Sequence, residues 1–237
     1  MRVVGLVSGS GKSLLTVIEQ QKELDESKGS PYEVVAIFTD SPKSKAREIG
    51  EQFGIPVILH DIRAFYAERG AKITDMTVRQ AFDLETVKAL ARYKAHVALY
   101  AGYVWATTAP LVNTFLGINV HPADLSIEKG GKRAYAGAHG VREALMAGEK
   151  TVASTAHLVT TQVDGGPILM ISKPIAVDRG RKSLEELEKE CLNLLNGEAR
   201  RLFPKVVRAV AEGHFERDED GLLYYQGLPI PKGYREI

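Results

Sequence analysis

The chain has 237 residues, 44% of them hydrophobic and 26% charged, with 31 Lys and Arg against 30 Asp and Glu for a net charge of +1. That excludes a disordered chain, leaves enough length to bury a core without disulfides or metals, and gives no electrostatic case for nucleic acid or an anionic membrane as a partner. The single cysteine, Cys191, has no partner for an internal disulfide or a Cys-based zinc site, which suits a reducing, cytoplasmic setting.

In chain order, Val3 to Val7 is a buried-strand run, too short for a signal-peptide core, that leads into Ser8-Gly9-Ser10-Gly11. Leu14, Leu15 and Ile18 follow at helical spacing. Val34 to Phe38 reads as a second strand, Ala46, Ile49 and Phe53 as a helical stripe, and Ile55 to Leu59 as a third strand. Asp75 caps a helix through Val87, Leu90 and Ala91, with a break expected near Asp83. Residues 95–123 contain no Asp, Glu, Lys or Arg, which raises a membrane helix. Gly102, Thr107, Thr108, Pro110, Asn113, Gly117 and Asn119 interrupt that run. A strand at Val97 to Tyr100, a short helix and a strand at Gly117 to Val120 explain it better.

The second half changes character. Ala138 to Met146 reads as a helix, and Val152 to Thr160 and Ile168 to Val177 as strands, antiparallel across the turn Asp164-Gly165-Gly166-Pro167. Ser183 and Glu186 form a capping box opening a helix with Leu184, Leu187, Cys191 and Leu194 on one stripe, kinked or restarted at Pro204. Residues 214–237 read as a C-terminal hairpin or tail. Strands separated by helices imply right-handed crossovers, so the expected fold is α/β: a single domain over 1–237 with a doubly wound, mainly parallel sheet and an antiparallel C-terminal edge.

Three groups of residues carry candidate chemistry. Gly9, Ser10, Gly11, Lys12 and Ser13 follow the first strand and open a helix, but neither the Walker A spacing nor the dinucleotide fingerprint is met, since Leu6 and Leu14 stand where glycines are needed. What remains is a helix N-terminus able to hold a phosphate or carboxylate, or a tight turn with Lys12 in solvent. Asn119 and His121, two apart on a strand, project to one face and pair an amide donor with an imidazole. Asp164 lies in the Asp-Gly-Gly-Pro turn; alone, it reads as a turn residue and the histidine as a structural one, and only their combination points to catalysis.

Taken with Ala101-Gly102-Tyr103, Gly117-Ile118-Asn119-Val120-His121-Pro122, Gly137-Ala138-His139, Ala153 to Val159, Asp164 to Leu169 and Leu228 to Tyr234, the chain resembles the folate-dependent formyltransferases along nearly its whole length. The resemblance implies a Rossmann-like formyltransferase fold. It implies transfer of a formyl group from 10-formyltetrahydrofolate to an amine, with glycinamide ribonucleotide of purine biosynthesis as the expected acceptor and no metal. By motif position, Asn119 would polarise the formyl oxygen, His121 would assist and move a proton, and Asp164 would orient His121 or a water. Tyr103, Val104, Trp105, Leu111, Val112, Val159 and Gly165 would bind the folate, and Gly9 to Ser13 the acceptor's phosphate. No nucleic-acid or membrane partner is expected; a homodimer is compatible.

Several positions depart from the family pattern: Lys12-Ser13 in the loop, Val104-Trp105 after the glycine-aromatic step, Ala123-Asp124-Leu125-Ser126 after His-Pro, and Ala199, beside Glu198, where a glutamate would meet the acceptor. Gly130-Gly131-Lys132-Arg133 reads as an insertion. Three alternatives follow: a formyltetrahydrofolate deformylase with water replacing the amine, a formyltransferase for another amine, and a non-catalytic ligand-binding homologue. His157 reads as a hydrogen-bonded core histidine and Cys191 as inert core.

Overall fold

In the computed structural model, which describes residues 1–237, the apolar runs of the first half become strands buried on both faces, with Val3, Val4, Leu6 and Val7 entirely inside. Backbone contacts divide the chain into two units, Met1–Ile118 and Asn119–Ile237. The first contains β1 (Arg2–Val7), α1 (Lys12–Ser27), β2 (Glu33–Thr39), α2 (Ala46–Phe53), β3 (Val57–Leu59), α3 (Ile62–Glu68), α4 (Met76–Leu90), β4 (Val97–Tyr100) and α5 (Ala109–Thr114). β1 pairs in parallel with β2 and with β4, and β2 with β3. Strand order therefore reverses at β1, and the C-terminal ends of β1 and β4 form the switch point at which open α/β sheets place ligands. The segments leaving those ends are tied together: Ser8 N donates to Gly102 O at 3.3 Å and Val104 N to Ser8 Oγ at 3.3 Å.

Two expectations for this unit need correction, and one helix is additional to them. β3 begins at Val57, because Ile55 N still closes the helix exit by donating to Gly50 O at 2.9 Å. α3, capped by the Asp61 carboxylate, had no counterpart in the sequence reading. α4 runs unbroken through Asp83, which is fully buried. Its Oδ2 accepts from Thr108 N at 2.8 Å and Thr108 Oγ1 at 2.6 Å, and Arg79 pairs with its Oδ1 at 2.8 Å one turn earlier. A charge that would break an exposed helix here fastens it to the segment before α5.

β5 (Leu116–His121) carries the chain into the second unit, which contains β6 (Glu128–Lys129), β7 (Lys132–Arg133), α6 (Gly140–Met146), β8 (Thr151–Val152), β9 (Thr155–Leu158), β10 (Ile168–Ile171), β11 (Ile175–Ala176), α7 (Leu184–Ala211), β12 (Phe215–Arg217), β13 (Leu223–Tyr225), β14 (Leu228–Pro229) and β15 (Tyr234–Arg235). Antiparallel pairing of β9 with β10 and of β8 with β11 replaces the two long strands read from sequence. Both runs break because Ser154 turns inward, donating from Oγ to Leu195 O at 2.9 Å and from N to Ser172 Oγ at 2.9 Å. β15 adds to β10 in parallel. The α/β class with a mainly parallel sheet turning antiparallel toward the C-terminal end is what the structure has.

The capping box at Ser183 and Glu186 opens α7 as read, and the helix continues through Pro204. Its apolar stripe uses Leu195 rather than Leu194, which is exposed. Cys191 packs with Val141, Leu145, Leu187 and Leu195. No helix is long and apolar enough to cross a membrane.

Candidate functional site

The second unit gathers four polar side chains from separated stretches of chain. Asn119 and His121 project together from β5, as strand alternation requires. His157 comes from β9, and Asp164 from the turn between β9 and β10. Asp164 Oδ2 lies 3.3 Å from His121 Nδ1, and Oδ1 lies 3.3 Å from His157 Nε2. Gly137 N donates to Oδ2 at 2.8 Å.

Both histidines are buried and held at their other nitrogen. His121 Nε2 donates to Tyr135 O at 2.8 Å, and His157 Nδ1 donates to Leu158 O at 2.9 Å. Tyr135 is itself fixed: its ring packs among Val141, Ala144, Leu145 and Val152, and its hydroxyl bonds Glu149. The carbonyl can come this close because residue 140 is glycine; a Cβ there would lie 2.2 Å from Tyr135 O and 3.1 Å from His121 Nε2. With Nε2 donating, a neutral His121 turns a lone pair toward Asp164, and a protonated one gives that carboxylate a second N–H. Burial pushes the His121 pKa below 6.5, while the Asp164 charge and the Tyr135 carbonyl pull the other way. Burial alone would raise Asp164, but the His157 hydrogen bond, the His121 charge and the Gly137 N–H together hold it down at about 2.

Asn119 Nδ2 and His157 Nε2 are 3.2 Å apart. His157 Nδ1 donates to Leu158 O, so Nε2 serves two partners in turn: in the protonated ring it donates to Asp164, and in the neutral ring it accepts from the Asn119 amide and leaves that amide one N–H to give elsewhere. The core reading of His157 holds for its burial, yet the ring also touches both Asn119 and Asp164. Strand alternation from Thr155 was the available signal for it. Tyr135, Gly137 and Arg133 were missed too, and each contributes a backbone atom or a distant side chain that no local pattern marks.

In the first unit, Gly9, Ser10 and Lys12 are exposed, Ser13 is half-buried and Gly11 is buried. Gly11 caps α1 at φ 62, a left-handed conformation that suits glycine. The first intrahelical bond is Leu15 N to Gly11 O at 2.9 Å, so the amides of Lys12, Ser13 and Leu14 have no acceptor within the helix. With Lys12 beside them, they form an anion-attracting end.

Of the residues expected to meet a folate, Val104 is 76% exposed, and Trp105, Val112, Val159 and Gly165 are half-buried. Tyr103 is buried, its hydroxyl accepting from Arg79 Nη2 at 2.7 Å. Leu111 is completely buried. Buried Asp40, directly after β2, has its pKa pushed up by burial.

The loop after His121-Pro122 is braced by Asp124. Asp124 Oδ1 accepts from Ser126 N and Oγ, and its Oδ2 accepts from Arg235 Nη2 at 2.7 Å. Ala199 is buried in α7, and neighbouring Glu198 pairs with Arg201 at 2.7 Å. No group of three or more His, Cys, Asp or Glu side chains is arranged to hold a metal ion.

Comparison with known proteins agrees with this constellation: the family described as formyl transferase matches residues 1–205. The chain belongs to the formyl transferase family. Within it, the phosphoribosylglycinamide formyltransferase of Escherichia coli is 27% identical over 237 residues, covering 99% of this chain and 98% of that one. The corresponding protein of Mycobacterium tuberculosis is 31% identical over 179 residues, covering 74% and 71%. Among solved structures, glycinamide ribonucleotide transformylase 1 from Symbiobacterium toebii superposes with a TM-score of 0.75 at 25% identity, covering 95% of this chain and 93% of that one. Like these formyl transferases, the chain is an enzyme of group transfer.

Proposed function

We propose that this formyl transferase moves the formyl group of 10-formyltetrahydrofolate to the amine of glycinamide ribonucleotide, a step of purine biosynthesis in the cytoplasm. The observation that carries the reading is the Asp164 carboxylate held against His121 beside the Asn119 amide. Residues 1–237 serve as one formyltransferase domain in it. The amine attacks the formyl carbon, a new C–N bond forms, and the carbonyl electrons move onto oxygen. Asn119 donates its remaining N–H to that oxyanion, where a preorganised donor acts most strongly. The tetrahedral intermediate collapses by breaking the bond to the folate nitrogen, which takes up the proton that the amine loses. His121, steadied by Asp164, moves that proton once its Nε2 exchanges the Tyr135 carbonyl for substrate. The amides and ammonium at Gly9 to Ser13 hold the acceptor's phosphate.

Ala199 and the Glu198–Arg201 pair favour a second reading, the same transfer to a different amine, since the position expected to meet the acceptor carries a methyl group. A panel of amines with 10-formyltetrahydrofolate, following tetrahydrofolate release, tests both. Release dependent on glycinamide ribonucleotide supports the first reading, and release with another amine alone supports the second. Equal release without any amine overturns both in favour of hydrolysis.

A further inference from the structure

We propose that Arg133 is a positioning residue for the reaction: its guanidinium grips the Asp164-Gly165-Gly166 turn and so holds the Asp164 carboxylate against His121. This rests on the formyl-transfer reading and names a residue that none of the catalytic motifs contains. Arg133 Nη1 donates to the Asp164 carbonyl, and Nη2 donates to the Gly166 carbonyl at 2.6 Å. One planar group thus spans the turn with two charge-assisted bonds, a geometry that a lysine ammonium does not reproduce.

The turn has reason to need such a grip. Asp164 sits at φ 48, in the left-handed region that a residue with a Cβ avoids. Thr161, Gln162 and Val163 just before it are exposed, with Val163 at 58%, so little packing fixes the segment. Its own closing bond is Gly165 N to Gln162 O at 3.1 Å. Arg133, in contrast, is anchored. It ends the β6–β7 hairpin opposite Glu128, and Ala134 N donates to Ile127 O at 2.9 Å directly after it. The hairpin is tied in turn to buried Tyr135, whose hydroxyl accepts from Lys129 Nζ at 3.1 Å, and the guanidinium links that support to the residue whose carboxylate faces both histidines.

The groups facing His121 are Asp164, the Tyr135 carbonyl, His157 and Arg133. Asp164 raises the His121 pKa, whereas the Arg133 charge lowers it. Removing Arg133 therefore separates two roles by sign. If it only supplies charge, His121 titrates higher in Arg133→Ala and is unmoved in Arg133→Lys. If it positions the carboxylate, Asp164 drifts away and His121 titrates lower in both.

The experiment measures formyl transfer from 10-formyltetrahydrofolate to glycinamide ribonucleotide together with an NMR titration of the His121 ring. It uses the wild-type chain, Arg133→Ala, Arg133→Lys and, as a control on the same hairpin, Lys132→Ala. The expected result is a kcat loss of about 10–100-fold in Arg133→Ala with each KM nearly unchanged, in line with a small displacement of a reacting group. Arg133→Lys recovers only part of the loss, added guanidinium ion partly restores the alanine variant, and Lys132→Ala matches wild type. A His121 titration that rises or stays in place in Arg133→Ala, or a wild-type kcat in that variant, overturns the proposal. Should Arg133→Ala fail to fold, the direction of the shift in Arg133→Lys decides. Should the wild-type chain transfer no formyl group, the functional reading fails, while the His121 shift still decides the role of Arg133.

Discussion

Each unit buries a carboxylate among polar partners, and the two clusters do different things. In the first unit, Asp83 is paired with Arg79, a group charged at every accessible pH, and takes two further bonds from Thr108. Burial pushes the Asp83 pKa up and Arg79 opposes it, leaving a fixed clasp between α4 and the segment before α5. In the second unit, Asp164 faces two imidazoles, and burial pushes the pKa of one of them, His121, below 6.5. The same side-chain chemistry is a fastener where its partner cannot titrate and, in the proposed function, a support for proton transfer where His121 can. Burial by itself does not distinguish the two; the partner does.

The comparison breaks most visibly at Asp164. Asp164→Asn keeps the shape and removes the charge behind His121, so kcat should fall by about 10³–10⁴-fold, as it does when a histidine-orienting carboxylate is lost elsewhere. Thermal melts at neutral pH should show a folded protein, and near-normal turnover would show that the second cluster is only a fastener. Asp83→Ala should behave in the opposite way. It leaves Arg79 buried and unpaired, at a cost of roughly 3–5 kcal/mol of stability. Urea denaturation should register that loss while the folded fraction keeps its kcat.

Asn119 gives the next largest effect. Asn119→Ala removes an oxyanion donor and should lower kcat by about 10²–10³-fold. Asn119→Asp, nearly isosteric but carrying an acceptor where charge must develop, should be at least as impaired, with activity improving as pH falls until another group is inactivated. A well-folded Asn119→Asp enzyme of near-normal kcat would remove the proposed electrostatic role.

Titration sharpens the contrast further. The folded-state pKa of Asp164, about 2, lies below its ordinary 3.8, so its contribution is present above the ordinary value and disappears as pH falls through the folded one. That is about 2 kcal/mol, lost between about pH 4 and pH 2. His121 is depressed below 6.5 as well, so the unfolded chain binds its proton first and stability begins to decline as pH drops under that value. Denaturation midpoints measured from pH 7 to pH 2 should show both losses in the wild type, and the lower one should vanish in Asp164→Asn. The smallest expected effect is at Lys12. Lys12→Ala should raise the acceptor's KM by an amount equivalent to about 1–3 kcal/mol and leave the folate's nearly unchanged. An unchanged acceptor KM would leave Lys12 as a solvent-facing residue.

Much of the architecture was legible in the chain because its causes are local. Alternating buried runs and helical stripes mark β1, β2, β4, α1 and α7, and the Ser183–Glu186 box marks where α7 begins. Asn119 and His121 sit two apart on a strand, so their common face follows from strand geometry alone. The strand pair around Asp164 was readable from its Gly-Gly-Pro turn, though Ser154 divides the runs in a way that only its bonds to Leu195 and Ser172 explain.

The sequence by itself determined most of the elements, their order and the residues able to do acid–base and hydrogen-bond chemistry, since spacing and caps act over a few residues. Tertiary structure alone decided which of those residues meet. Gly137 reaches Asp164 from 27 positions away, Tyr135 holds His121 from 14, and Asn119 meets His157 across 38. It likewise turned Asp83 from a helix breaker into a clasp and gave Arg133 a carbonyl pair to grip. The reason is physical: local propensity is set by neighbours along the chain, whereas a buried polar group takes whichever partner the packed strands deliver, and its pKa and its role follow from that partner.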